Sequence, residues 1–236
     1  MSTIAENIAK VRARIREAAQ ASQRDSATIG LLAVSKTKPA VAIREAFSCG
    51  QRDFGENYLQ EALGKQAELG DLDLIWHFIG PIQSNKTKAL AEHFDWVHSV
   101  DRLKIAQRLS DQRPAHLPPL NICLQVNVSG EASKSGCTPE ELPALARAVT
   151  QLPHLKLRGL MTIPEPSDDP QAQRAPLARL RQLRDELGLG LDCLSMGMSQ
   201  DLEAAVAEGA TWVRVGTALF GSRDYAASTT NKGSEE

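Results

Sequence analysis

The sequence predicts a parallel (β/α)8 barrel, the TIM-barrel class, with one extra helix ahead of the first strand. Three observations carry that expectation. Eight short β-rich runs recur along the chain, helix-like segments separate them, and 236 residues is a common size for one such barrel. A doubly wound open sheet shares the same alternation, and sequence alone does not order the strands.

Taken in order, residues 1–22 place Ile4, Ile8, Val11 and Ile15 at helical spacing among charges. That is an amphipathic helix, without the continuous apolar block of a signal peptide. The first strand is expected at 29–35 (IGLLAVS), and Pro39 suits the start of a helix over 40–48, where its missing N–H costs nothing. Strand 53–55 and helix 57–68 follow, then strand 74–80 with helix 85–93, and strand 96–99 with helix 102–112. After strand 120–128, Thr138-Pro139-Glu140-Glu141 offers a threonine cap, a proline and an acidic first turn to a helix over 139–151. Strand 155–162 leads through an exposed SDDP loop (167–170) to a helix over 171–187. Strand 191–194 precedes a helix over 200–208 that Ser199 is expected to cap, and strand 212–215 runs into Gly216 and a short helix. Residues 1–225 therefore form one expected domain, with 226–236 a polar, disordered tail.

Composition narrows the setting. With 42% hydrophobic and 24% charged residues the chain resembles ordinary soluble globular proteins. A formal net charge of -2 gives no global reason to expect nucleic acid or an anionic membrane as partner. Cys49, Cys123, Cys137 and Cys193 lie far apart, which argues against a zinc site or a disulfide framework and for reduced thiols. No apolar run approaches a membrane span, so a cytoplasmic protein without bound metal is expected.

In a parallel barrel, chemistry sits at the C-terminal ends of the strands. Those ends read Ser35-Lys36-Thr37-Lys38, Gly55-Glu56-Asn57, His77-Phe78-Ile79-Gly80, His98-Ser99, Asn127-Val128-Ser129-Gly130, Met161-Thr162, Ser195-Met196-Gly197-Met198-Ser199 and Arg214-Val215-Gly216-Thr217. Singly, such residues cap helices or make turns. Together they form a polar ring. The last two ends pair a glycine-bearing loop with a glycine turn that opens a helix, a recurrent phosphate site in barrels. Neither matches a nucleotide-binding motif.

Barrel closure would set Lys36, at the end of an apolar strand, beside that phosphate cup. A partly desolvated amine there suits attack on the carbonyl of a phosphorylated aldehyde. The bland alternative is a lysine whose head reaches water. Arg214 interrupts a strand that should be buried, so either a carboxylate neutralises it or it faces a ligand. Pyridoxal phosphate enzymes commonly meet the ring nitrogen with an aspartate or an arginine.

Over nearly the whole chain, to about Tyr225, the sequence resembles the pyridoxal phosphate homeostasis protein family, also called the YggS or PROSC family. That family is similar to the barrel domain of bacterial alanine racemase. The segments that carry the resemblance are AVSKTKP (33–39), FGENYLQEA (54–62), WHFIGPIQSNK (76–86), QVNVSGEASKSG (125–136), RGLMTIP (158–164), LSMGMSQDLEAA (194–205) and VRVGTALFG (213–221). The resemblance implies that Lys36 carries pyridoxal 5'-phosphate as an aldimine, that Ser199, Gly216 and Thr217 hold its phosphate, and that Arg214 meets the ring nitrogen. Asn57, His77 and Met161 would line the ring.

Racemase chemistry needs a second base, which in the racemases is a tyrosine from a separate C-terminal domain. Tyr58 and Tyr225 are the two tyrosines here, and neither falls at a predicted strand end. The expectation is therefore a cofactor-holding protein that supplies apoenzymes and has secondary effects on amino-acid metabolism. The rivals are a weak amino-acid racemase and, further off, a lysine-dependent aldolase. Lys38 and Lys134 are expected to be solvated loop lysines, or else transient acceptors of the aldehyde during release. The proposed site needs no second subunit, so a monomer is expected.

Overall fold

In the computed structural model, which describes residues 3–130 and 135–221, eight parallel strands close on themselves in chain order. They are β1 Gly30–Val34, β2 Asp53–Glu56, β3 Ile75–Phe78, β4 Trp96–Val100, β5 Leu120–Gln125, β6 Leu155–Met161, β7 Cys193–Ser195 and β8 Trp212–Val215. Closure decides between barrel and open sheet. Gly30, Leu31, Leu32 and Ala33 of β1 stand in register with Trp212, Val213, Arg214 and Val215 of β8. A Cβ on Gly30 would overlap the Trp212 indole, so the missing side chain is what admits that ring between the two strands.

The outer ring comprises α2 Ala40–Ser48, α3 Leu59–Glu68, α4 Thr87–His93, α5 Leu103–Gln112, α6 Leu142–Thr150, α7 Pro170–Leu187, α8 Leu202–Ala207 and α9 Thr217–Phe220. Ahead of them runs the extra helix, α1 Ile4–Ala21. It starts at a capping box in which Thr3 and Glu6 satisfy each other's backbone N–H. Ile8, Val11, Ile15, Ala18 and Ala19 form its buried stripe, laid against α2, α8 and α9. Between helices and strands lies one large apolar layer, with Ile43, Leu90, Leu109, Leu142 and Leu180 fully buried. A smaller cluster joins Trp96, Cys123, Met161 and Cys193, with Trp212 packed on it. All four cysteines are free thiols, three of them buried. Among the described residues no helix is long and apolar enough to cross a membrane.

Three expected boundaries are corrected by local hydrogen bonding. Strand β5 stops at Gln125 because beyond it Asn127 donates to the Cys137 carbonyl, and Cys137 returns a bond to Gln125. Thr138 caps as expected, and Glu141 returns a bond to its backbone N–H, yet regular helix begins only at Leu142, since Pro143 has no N–H to extend it backwards. Ser199 does not cap α8. Asp201 takes the cap position and instead accepts the Met198 N–H. In the SDDP loop, Asp169 caps α7 and Pro170 is the first helical residue. Lys134, Tyr225 and the 226–236 tail lie outside the described residues.

Candidate functional site

A cavity of about 640 Å³ opens at the C-terminal ends of the strands. Six of the expected site residues, Lys36, Asn57, Ser199, Arg214, Gly216 and Thr217, share its wall. Val34 and Ile79 give it an apolar side, and the loop after β6, from Ile163 to Ser167, faces them. The geometry thus brings together residues as far apart in sequence as Lys36 and Thr217, because β1 and β8 pair. Such concave, mostly apolar pockets with a few convergent polar groups are the usual form of small-molecule sites.

Two of the wall groups have open bonding capacity. Among the described residues, Lys36 Nζ has no hydrogen-bond or ion-pair partner, and the buried Oδ1 of Asn57 has none either. A buried acceptor without a donor is costly, and Asn57 Oδ1 has capacity for one more hydrogen bond at the cavity wall.

Arg214 is buried, and no carboxylate bonds to it. Its Nη1 donates to Ser195 Oγ at 2.9 Å and its Nη2 to the Thr162 carbonyl at 2.8 Å. Ser195 continues a chain through the barrel interior: His98 Nδ1 lies 2.7 Å from its Oγ, His77 Nδ1 2.9 Å from His98 Nε2, and Asp53 Oδ1 3.0 Å from His77 Nε2. Burial favours the neutral form of both imidazoles. With both neutral, a guanidinium that only donates and a carboxylate that accepts leave Ser195 donating to His98, His98 to His77 and His77 to Asp53. Burial lowers Arg214 to about 10, which leaves it charged at neutral pH.

That chain makes a pH prediction. Burial is the first cause lowering His77 and also drives His98 well below the ordinary histidine value; His77 and Arg214 lower His98 further, while Asp53 and Asp95 partly offset the effect at His77. Below about pH 6.5 the unfolded chain then binds more protons than the folded one. Stability from this source is complete above that pH and is lost as the pH falls towards the folded values. Denaturant midpoints taken between about pH 7.5 and about pH 5 are expected to decline. His98→Asn should flatten the decline, and an equally steep profile in the variant would contradict the assignment.

The loops after β7 and β8 form the polar end of the cavity. Gly197 holds φ 96° while packed against Ala205 Cβ, so both its backbone angle and its missing side chain are used. From outside, α1 fastens both loops: Arg14 donates to the Ser199 carbonyl at 3.0 Å and pairs with Glu203 at 2.8 Å, while Asn7 donates to the Leu219 carbonyl at 2.9 Å. The extra helix is therefore part of the site's support. Gly216 and Thr217 open α9, whose first N–H groups have no intrahelical acceptor.

His77 and Met161 are not on the cavity wall. His77 is fully buried in the interior chain, stacked on Trp96 with ring centroids 5.4 Å apart, and Met161 lies in the small cluster beneath. Lys38 is half-buried and engaged by the protein. Sequence reasoning missed Lys65 and Glu61, which sit behind Lys36, and named His98 and Ser195 only as strand ends, without their place behind Arg214. The i,i+4 spacing of Glu61 and Lys65 is the one signal that could have found the first pair.

A closed parallel barrel with a lysine at the end of β1 and a polar cup after β7 and β8 places the protein among the alanine racemase-like barrels. The family model described as "Alanine racemase, N-terminal domain" matches residues 2–224. Alanine racemase from Corynebacterium glutamicum shares the fold at TM-score 0.65 and 17% identity, over 96% of this chain and 62% of that one. Within that class the chain belongs to the pyridoxal phosphate homeostasis protein family. It is 79% identical to the protein of that name from Pseudomonas aeruginosa, over 96% of this chain and 99% of the relative. The structure of PipY from Synechococcus elongatus with pyridoxal phosphate bound is also similar, at TM-score 0.81 and 44% identity, over 93% of this chain and all of that one.

Proposed function

We propose that this chain binds pyridoxal 5'-phosphate at Lys36 and serves vitamin B6 homeostasis by holding the cofactor and handing it to apoenzymes. The observation that carries this reading is an unpartnered lysine amine sharing one cavity wall with an unpartnered buried acceptor, a buried guanidinium and two glycine-bearing loops. The names of the similar proteins support the same cofactor and role.

The residues fit that group. The cofactor supplies an aldehyde carbon whose C=O is exchanged for C=N with a primary amine as one water leaves. Lys36 supplies the amine. The N–H groups opening α9, with Ser199 and Thr217, would bind the phosphate. Asn57 Oδ1 would accept a hydrogen bond from a ring substituent, and Val34 and Ile79 would flank the ring.

Arg214, charged and held from behind by Ser195 and Thr162, would donate to the ring nitrogen and disfavour its protonation. A ring nitrogen kept neutral draws electrons weakly, a setting that some pyridoxal phosphate enzymes share, so the carrier reading rests on the missing second base. No tyrosine, histidine or cysteine lines the cavity among the described residues, so the second base of a racemase is not provided there. Four free thiols suit the cytoplasm.

The test is transfer. Protein loaded with cofactor and freed of excess by gel filtration is expected to restore activity to the apo form of a pyridoxal phosphate enzyme. Sustained turnover of an amino acid by the loaded protein, lost in Lys36→Ala, would overturn the carrier reading.

A further inference from the structure

We infer that Glu61 and Lys65 are positioning residues for Lys36: they hold the backbone on both sides of it in a conformation the chain would otherwise leave. This rests on Lys36 being the cofactor lysine. Thr37, next in the chain, has φ 64°, in the left-handed region. For a β-branched residue that is a genuine outlier, and Thr37 is exposed, so packing of its side chain does not enforce it. Its N–H donates to Glu61 Oε1 at 2.5 Å. On the other side of Lys36, the Ser35 carbonyl accepts from Lys65 Nζ at 2.7 Å, and Ser35 Oγ donates to Glu56 Oε1 at 2.7 Å.

Lys65 is the hub. Its ammonium, buried on α3, also meets Glu56 Oε1 at 2.7 Å and Glu61 Oε1 at 2.6 Å. One cation therefore fixes the carbonyl before Lys36 directly and the amide after it through Glu61. Between those two anchors the backbone turns, closed by the Lys38 N–H donating to the Ser35 carbonyl at 3.0 Å, and Lys36 at this turn lies on the cavity wall. Outliers of this kind persist only where the surroundings over-determine them, and they gather at ligand clamps. The Lys38–Ser35 turn bond supplies part of that determination, and the charge-assisted bonds from one buried ammonium add the rest.

Glu61 differs from a merely structural ion-pair partner in what can replace it. If its work is to hold Thr37 in the left-handed region, a residue that enters that region freely removes the need for it. The experiment incubates each protein with pyridoxal phosphate, quenches with borohydride at timed intervals and counts pyridoxyllysine at position 36 by mass spectrometry. Glu61→Ala is expected to load roughly fivefold to thirtyfold more slowly, the ratio that the left-handed cost implies. Glu61→Gln keeps the acceptor and should load near the wild-type rate. Thr37→Gly combined with Glu61→Ala should recover most of the loss.

Side-chain exposure of Glu61 is 30%, so its truncation leaves the buried Lys65–Glu56 pair intact, and circular dichroism checks that the fold is kept. Unchanged loading in Glu61→Ala overturns the inference, as does slow loading that Thr37→Gly leaves unaltered. A wild-type protein that takes no label at Lys36 would instead remove the cofactor reading on which the inference stands.

Discussion

Lys65→Met is expected to lower the free energy of unfolding by about 3–5 kcal/mol, the usual cost of removing one partner of a buried ion pair. The side chains of Lys65 and Glu56 are 6% and 0% exposed, so water does not replace the lost ammonium. Methionine matches the lysine stem and leaves no large void, which isolates the charge effect from packing. Glu56 then sits desolvated with only Ser35 Oγ as donor, while its Oε2 already has no partner. Burial already raises its pKa, opposed chiefly by Lys65, so the substitution raises it further. A carboxyl raised in the folded state contributes stability that is present at low pH and lost as the pH rises through the folded value. The penalty of Lys65→Met should therefore be smaller near pH 5 than near pH 8. Denaturant titrations at both pH values check this. A loss under about 1 kcal/mol at either pH would mean that the pair does not hold the loop.

Lys36→Ala is expected to abolish covalent retention of pyridoxal phosphate while leaving the fold unchanged. Lys36 is half-buried at the cavity wall and makes no bond to the described protein, so its truncation removes no internal contact of consequence. Surface truncations of that kind stay within about 0.5 kcal/mol of the parent stability. Residual affinity would come from the polar cup and Arg214, as a reversible complex that gel filtration strips. The readout is cofactor absorbance carried through the column. Retention equal to the parent protein would show that another group holds the aldehyde, with Lys38 and Lys134 as the first to examine.

The barrel was legible because its signal is periodic and repeated. Each strand run is short and β-rich, each helix carries an apolar stripe, and chirality with closure leaves few topologies for such alternation. Lys36 and Arg214 were legible for the opposite reason: each breaks an apolar run, and a charge there needs an explanation. What the sequence did not disclose is which groups stand behind them. Glu61 and Lys65 look like a solvated face of α3, yet the helix turns that face towards β1 and buries the ammonium. His98 and Ser195 were visible as strand ends, but the chain that joins them to Arg214 runs across the barrel through residues of β2, β3, β4 and β7. The caps misled for a simpler reason. Ser199 and Asp201 are both good caps two residues apart, and only the fold shows that Asp201 takes the position while the Ser199 carbonyl is held by Arg14. His77 and Met161, expected at the ring, follow a register in which inward-facing residues stack in layers beneath the cavity floor.

The proposed function stands on a bond between Lys36 and the aldehyde of pyridoxal phosphate. Borohydride reduction of the loaded wild-type protein, followed by peptide mass mapping, tests that bond directly. The expected result is a pyridoxyl mass on the peptide containing Lys36 and on no other lysine at one equivalent of cofactor. A map in which Lys36 is unmodified while the cofactor is bound, or modified elsewhere alone, would contradict the account.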